Sequence, residues 1–83
     1  MARPVVTLYG RPGCHLCEDA RRHLDSLAAR LSFDVAEVNI ETDDRLLERY
    51  VFAIPVVAVG EREIARAPIS VLALEDTLRQ ALA

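Results

Sequence analysis

The feature that most constrains this chain is a change of hydrophobic period across residues 10–13. Before it, Val5-Val6-Thr7-Leu8-Tyr9 is a continuous β-branched and apolar run, the pattern of a strand buried on both faces. After it, Leu16, Ala20, Leu24, Leu27, Ala28 and Leu31 recur three or four residues apart, which predicts an amphipathic helix from His15 to about Leu31. Gly10 and Pro12-Gly13 separate the two. Ser32 ends the helix, and Phe33 to Ile40 reads as a second strand with Ala36, Val38 and Ile40 on one side. Strand, helix and strand in this order predict a βαβ unit with parallel strands and a right-handed crossover. On the outer face of the helix, Glu18 and Arg22 stand in the favoured order for an i,i+4 ion pair, beside Asp25 and Arg30.

The rest of the chain completes a sheet. Thr42 or Asp43 caps a second helix running to about Tyr50, with Leu46, Leu47 and Tyr50 inward. Pro55 opens the strand Val56–Val59, where its missing N–H does least harm. Residues 60–63 read as a turn, Ile64-Ala65-Arg66 as a short hairpin partner, and Pro68 as its end. Ser70 caps a last helix to about Leu82, with Val71, Leu74, Leu78 and Ala81 inward. The expected fold class is therefore α/β, in the order β-α-β-α-β-β-α: a mixed four-stranded sheet with helices on both faces, residues 1–83 forming one domain.

Composition narrows the function classes. The formal charge is −3, and the ten cationic side chains, all Arg, are mixed with the acidic ones. There is no basic run to track nucleic acid or an anionic membrane. No segment is long and apolar enough to span a bilayer, and the apolar run after Met1-Ala2-Arg3-Pro4 is too short for a secretory signal, so a cytoplasmic location is expected. A reducing compartment does not favour a structural disulfide.

Both cysteines, Cys14 and Cys17, lie at the strand-to-helix turn. Unpaired N–H groups and the dipole at a helix start favour negative charge, and the thiolate is the species that attacks a disulfide. Arg11 and the helix start act to lower the pKa of Cys14, while Glu18 and Asp19 oppose that effect. Cys17, one turn later, is close enough to attack a mixed disulfide at Cys14. His15 either tunes the thiolate and meets substrate or is a solvated loop residue. His23 reads as a surface residue on the outer half of the helix. It cannot turn back to the cysteines, so no closed zinc site within one chain is expected. A haem attachment is excluded because Glu18 follows Cys17.

These residues resemble the thioredoxin superfamily, and within it the glutaredoxins. The similarity runs through Arg11-Pro12-Gly13-Cys14-His15-Leu16-Cys17-Glu18, Val38-Asn39-Ile40-Glu41 with Asp43, Leu46-Leu47-Glu48-Arg49-Tyr50, and Gly60 with Arg62-Glu63-Ile64 and Pro68. The set is similar above all to short bacterial glutaredoxin-like proteins. The resemblance implies a thioredoxin-like fold and a thiol–disulfide oxidoreductase with Cys14 as nucleophile and Cys17 as resolving thiol. It also implies a cis bond before Pro55 and a substrate contact at the backbone of Ile54. His15 stands where glutaredoxins usually carry Pro. Ala65-Arg66-Ala67-Pro68 replaces the Gly-Gly pair of those that bind glutathione, and the first strand lacks the buried acid of thioredoxins.

Arg11, Arg62 and Arg66 are the candidates for contact with an anionic substrate such as a peptide carboxylate, with a solvated surface Arg the safer reading of Arg62. No bound cofactor is required. The expected partners of a monomer are a disulfide-containing protein or a small thiol, with glutathione or a disulfide reductase as electron donor. The alternative is a non-catalytic thioredoxin-fold binding module, or a carrier of a metal or iron–sulfur cluster.

Overall fold

A computed structural model describes residues 3–83. Met1 and Ala2, at the head of the stretch considered above for a leader, lie outside the described residues. The elements are β1 (Val5–Gly10), α1 (His15–Leu31), β2 (Asp34–Asn39), a 3-10 turn (Ile40–Thr42), α2 (Asp44–Tyr50), β3 (Val56–Val59), β4 (Arg62–Arg66) and α3 (Val71–Leu82). They form one sheet in the order β2-β1-β3-β4. β1 runs parallel to β2, as the βαβ reading requires, and β3 lies antiparallel to both β1 and β4.

Alternation along the central strands divides the core into two layers. Val6 and Leu8 of β1 and Val57 of β3 face α1 and α3, where Leu24, Leu27, Leu74 and Leu78 cover them. Tyr9 and Val56 face the other way, against Ile40, Leu46, Leu47 and Tyr50 of the 3-10 turn and α2. Helices thus cover both faces. The rings of Tyr9 and Tyr50 stack at 4.8 Å between centroids, within the favourable range for an offset aromatic pair. The lone short helix on the second face leaves Thr7 and Tyr9 half-buried, so β1 is fully buried on one face only.

Caps mark the helix ends where the sequence placed them. Asp43 accepts from the Arg45 N–H at 2.8 Å, and Ser70 accepts from the Ala73 N–H at 3.4 Å. Ser32 closes α1 in the left-handed region, with φ 58°.

Several side-chain expectations are corrected. Leu16 is exposed, because the seat against β1 at this turn is filled by Cys17, whose sulfur lies next to Gly10. Cys17 takes the buried position instead, and the inward stripe is Cys17, Ala20, Leu24 and Leu27. Val71 is exposed at the start of α3, and Ile69 and Leu82 pack on the core in its place. Arg22 pairs with Asp19, not Glu18. Ile40 leaves β2 and turns into the second core layer. The turn between β3 and β4 shortens to Gly60-Glu61, because Gly60 supplies the positive φ of 61° that a tight hairpin needs, and Arg62 and Glu63 join β4.

Candidate active site

β1 delivers the chain to one end of the sheet at Gly10, and Arg11-Pro12-Gly13 turns it into α1, with Gly13 at φ 76°. Cys14 is the N-cap of α1. Its Sγ accepts a hydrogen bond from the Cys17 N–H at 3.2 Å, and its carbonyl accepts from the Glu18 N–H at 3.0 Å. Cys14 is half-buried, whereas Cys17 is only 7% exposed. The two form a disulfide with Cα atoms 5.2 Å apart. One sulfur therefore faces solvent at a helix N-terminus while the other lies beneath it.

Gly10 makes that seat possible. It lies on the same face of β1 as Val6 and Leu8, and a Cβ there would stand 3.0 Å from Cys17 Sγ and 3.1 Å from Cys17 Cβ. The sequence reading treated Gly10 as a strand stop. The signal for its role was its place in the two-residue period of β1, since a glycine within a strand often marks close approach of another element.

On one side of the disulfide a cavity of about 370 Å³ is lined by Leu8, Gly10, Cys17, Arg21, Glu37 and Val38, with Arg11 at its edge. Arg21 spans this side, donating from Nε to Asp25 at 2.9 Å and from an NH group to Glu37 at 2.6 Å. These two carboxylates, Asp25 foremost, raise its pKa further above the ordinary guanidinium value. Arg11 is exposed and makes no ion pair among the described residues. The His15 side chain is 96% exposed, with Nδ1 3.5 Å from a Glu18 carboxylate oxygen.

On the other side a smaller crevice of about 120 Å³ is lined by Leu16, Ala20, His23, Pro55, Pro68 and Ile69. The Ile54–Pro55 bond is cis, and so is Ala67–Pro68, which nothing in the sequence signalled. The Ile54 N–H donates to the Tyr50 carbonyl at 3.1 Å, and the Ala67 N–H donates to the Pro55 carbonyl at 3.0 Å. His23 is half-buried in this crevice and not on the outer surface as expected, because β4, Pro68 and α3 return along that flank of α1.

Arg66 stands at the end of β4 and donates twice to Glu63, at 2.7 and 2.9 Å. That hydrogen bonding lowers the Glu63 pKa and raises that of Arg66. Cys14, Leu16 and Pro55 are thus gathered at one end of the sheet, Arg11 and His15 flank the disulfide, and Arg66 is held by its own carboxylate. Among the described residues no three His, Cys, Asp or Glu side chains are grouped to hold a metal ion. Among the described residues no helix is long and apolar enough to cross a membrane.

Fold and site together define a thioredoxin-like α/β protein with a redox-type disulfide at the start of its first helix. Residues 5–79 match the family described as Glutaredoxin-like domain (DUF836). The chain belongs to that family. A Nitrosomonas europaea protein solved by NMR in solution is 28% identical, with a TM-score of 0.81 over 100% of this chain and 95% of that one. An X. campestris protein solved by X-ray diffraction is 30% identical, with a TM-score of 0.77 over 90% of this chain and 96% of that one. A glutaredoxin from Brucella melitensis is 26% identical, with a TM-score of 0.66 over 99% of this chain and 91% of that one.

Proposed function

We propose that this chain is a thiol–disulfide oxidoreductase working by a dithiol mechanism. The observation that carries the reading is the unequal pair at the start of α1: a partly exposed Cys14 at the N-cap and a buried Cys17 within bonding reach of it. In the reduced protein the Cys17 N–H and the helix dipole favour a thiolate at Cys14. That thiolate attacks one sulfur of a substrate disulfide and forms a mixed disulfide, and the other substrate sulfur leaves as a thiolate. Cys17 then loses its proton to solvent and attacks Cys14 Sγ. The second substrate sulfur leaves as a thiolate, and two electrons have passed from the protein to the substrate.

Glutathione or a disulfide reductase returns the pair to the dithiol, so no bound cofactor is needed. The protein acts as a cytoplasmic monomer on disulfide-containing proteins or small thiols. Arg11 and His15 flank the incoming sulfur, and the Ile54 carbonyl beside Pro55 meets the substrate backbone. Arg66 contributes to anion recognition only when Glu63 releases it.

The test is a titration in glutathione buffers of graded potential, with thiol state read by intact mass. A reversible loss of two hydrogens with a midpoint of about −200 to −270 mV, the glutaredoxin-to-thioredoxin range, supports the reading. A transient adduct absent in Cys14→Ser identifies the attacking sulfur. Thiols that stay reduced across the range refute it.

A further inference from the structure

Cys17 has to lose a proton before it can attack, and the structure leaves its sulfur few routes for one. The residue is only 7% exposed. Beneath it stands β1, whose residues on that face are Val6, Leu8 and Gly10, none of them titratable. Above it stands Cys14, which carries the substrate in the mixed disulfide. The crevice on the Pro55 side is bordered by Leu16 and Ala20 of α1 but not by Cys17. The cavity on the β2 side is bordered by Cys17 itself. Its volume of about 370 Å³ far exceeds the roughly 10–15 Å³ that one water needs. Water thus reaches the buried sulfur from the face opposite the one that the proposed function gives to the substrate.

The charged side chains that border this cavity are Arg11, Glu18, Arg21 and Glu37. A guanidinium keeps its protons and accepts none, so Arg11 and Arg21 cannot take the proton. Glu18 has a carboxylate oxygen 3.5 Å from His15 Nδ1. Glu37 is held at the cavity wall. In the register of β1 and β2 it pairs with Leu8, two residues before the Gly10–Asn39 pair, and Cys17 packs on Gly10. Arg21 follows Cys17 by four residues on α1, so its stem leaves the helix on the same face. Its guanidinium, anchored by Asp25, donates to Glu37 Oε1 at 2.6 Å. Glu37 Oε2 accepts no hydrogen bond among the described residues, and an ionised carboxylate has about four acceptor sites, so it is free to take water. The Glu37 side chain is 57% exposed, so a proton received there passes on to bulk solvent.

We propose that Glu37 on β2 is the proton acceptor for Cys17 in the resolving step, through water in the cavity between α1 and β2. The inference rests on the dithiol reading above and deepens it. The Cys17 thiol gives its proton through water to the Glu37 carboxylate and becomes a thiolate. That thiolate attacks Cys14 Sγ, the Cys14–Cys17 bond forms, and the bond from Cys14 to the substrate sulfur breaks. The substrate sulfur leaves with the electron pair as a thiolate and takes a proton from solvent. Glu37 returns its own proton to solvent, ready for the next turn.

The test is a single turnover of the reduced protein with bis(2-hydroxyethyl) disulfide, a small uncharged oxidant. Acid quenching and intact mass follow the mixed disulfide at Cys14 and its conversion to the internal disulfide. In Glu37→Gln the mixed disulfide is expected to accumulate, its resolution slowed by about a hundredfold, the low end of what a positioned base contributes. Sodium formate, a carboxylate small enough for the cavity, should restore much of the rate in the variant and leave wild type unchanged at equal ionic strength. The ratio of wild-type to variant rates should fall toward one as pH rises past the ordinary thiol value of about 8.5, where Cys17 ionises without a protein base. Glu37 is a surface position, so circular dichroism of Glu37→Gln should match wild type. An unchanged resolution rate in Glu37→Gln overturns the proposal and leaves the dithiol reading standing. So does a slowing that formate does not relieve and that is equal at every pH, since a purely structural loss behaves that way. Failure of wild type to form either disulfide overturns the dithiol reading itself, and this proposal with it.

Discussion

Replacing Gly10 by Ala tests the link between the first strand and the chemistry. The backbone of Gly10 lies in regular β1 pairing with Asn39, so Ala imposes no conformational strain. Its methyl group, however, points at Cys17, 3.0 Å from Sγ and 3.1 Å from Cβ. Relief requires the first turn of α1 to move by a few tenths of an ångström. Overpacking of this kind costs about 1–3 kcal/mol. In a domain of this size each kcal/mol lowers the melting temperature by about 4–8 °C.

The two redox forms should differ. In the reduced protein Cys17 Sγ can rotate away from the new methyl, whereas in the disulfide form Cys14 tethers it. The oxidised form therefore loses more stability, and the midpoint potential rises by about 30 mV for each 1.4 kcal/mol of difference. Thermal melts of both forms, with titration in glutathione buffers, measure the two quantities. Gly13→Ala is the control. It lies at φ 76° with open space around it, so its cost of about 1–2 kcal/mol comes from the backbone and is independent of redox state. If Gly10→Ala melts with wild type in both forms, the packing argument fails.

Other outcomes follow from the same geometry. Asp43→Ala removes the cap of α2 and should cost about 1 kcal/mol in urea denaturation, with the slope unchanged. Leu24→Ala, at a position fully buried between α1 and the sheet, should cost about 2–5 kcal/mol by the same measurement. Glu63 and Glu75 are held below the ordinary carboxylate value of 4.5, the first by Arg66 and the second by Arg79 and then Arg30. A carboxyl depressed on folding contributes stability above its unfolded value and loses it as pH falls through the folded one. The urea midpoint should therefore decline on acidification below about pH 4.5, and Glu63→Gln with Glu75→Gln should flatten that decline.

Much of this molecule is legible in the chain because its signals are local. The switch from strand run to helical spacing near residue 10, the capping residues Asp43 and Ser70, and Pro55 at the head of β3 each report on a few neighbours. The position of the cysteines at a helix start was legible for the same reason, since Pro12-Gly13 and the stripe from Ala20 onward leave little freedom in where α1 begins. Side-chain partners were less legible. Arg21 reaches Glu37 on β2, and Arg30 reaches Glu75 on α3. Neither contact could compete with a nearby pair until the strands and helices had been placed.

The sequence alone determined the order of elements, the two-layered covering of the sheet and the place of Cys14 and Cys17 at a helix start, because periodicity, caps and turns act over one or two turns of chain. Only the tertiary structure decided that Leu16 and Val71 stay in solvent, that His23 enters the crevice beside Pro68, that Arg66 spends its charge on Glu63, and that Gly10 supports the buried sulfur. Each of those outcomes depends on which distant segment arrives at a surface and how closely it packs there, and that is fixed by the meeting of α1, the Pro55 loop and the entry to α3 at one end of the sheet.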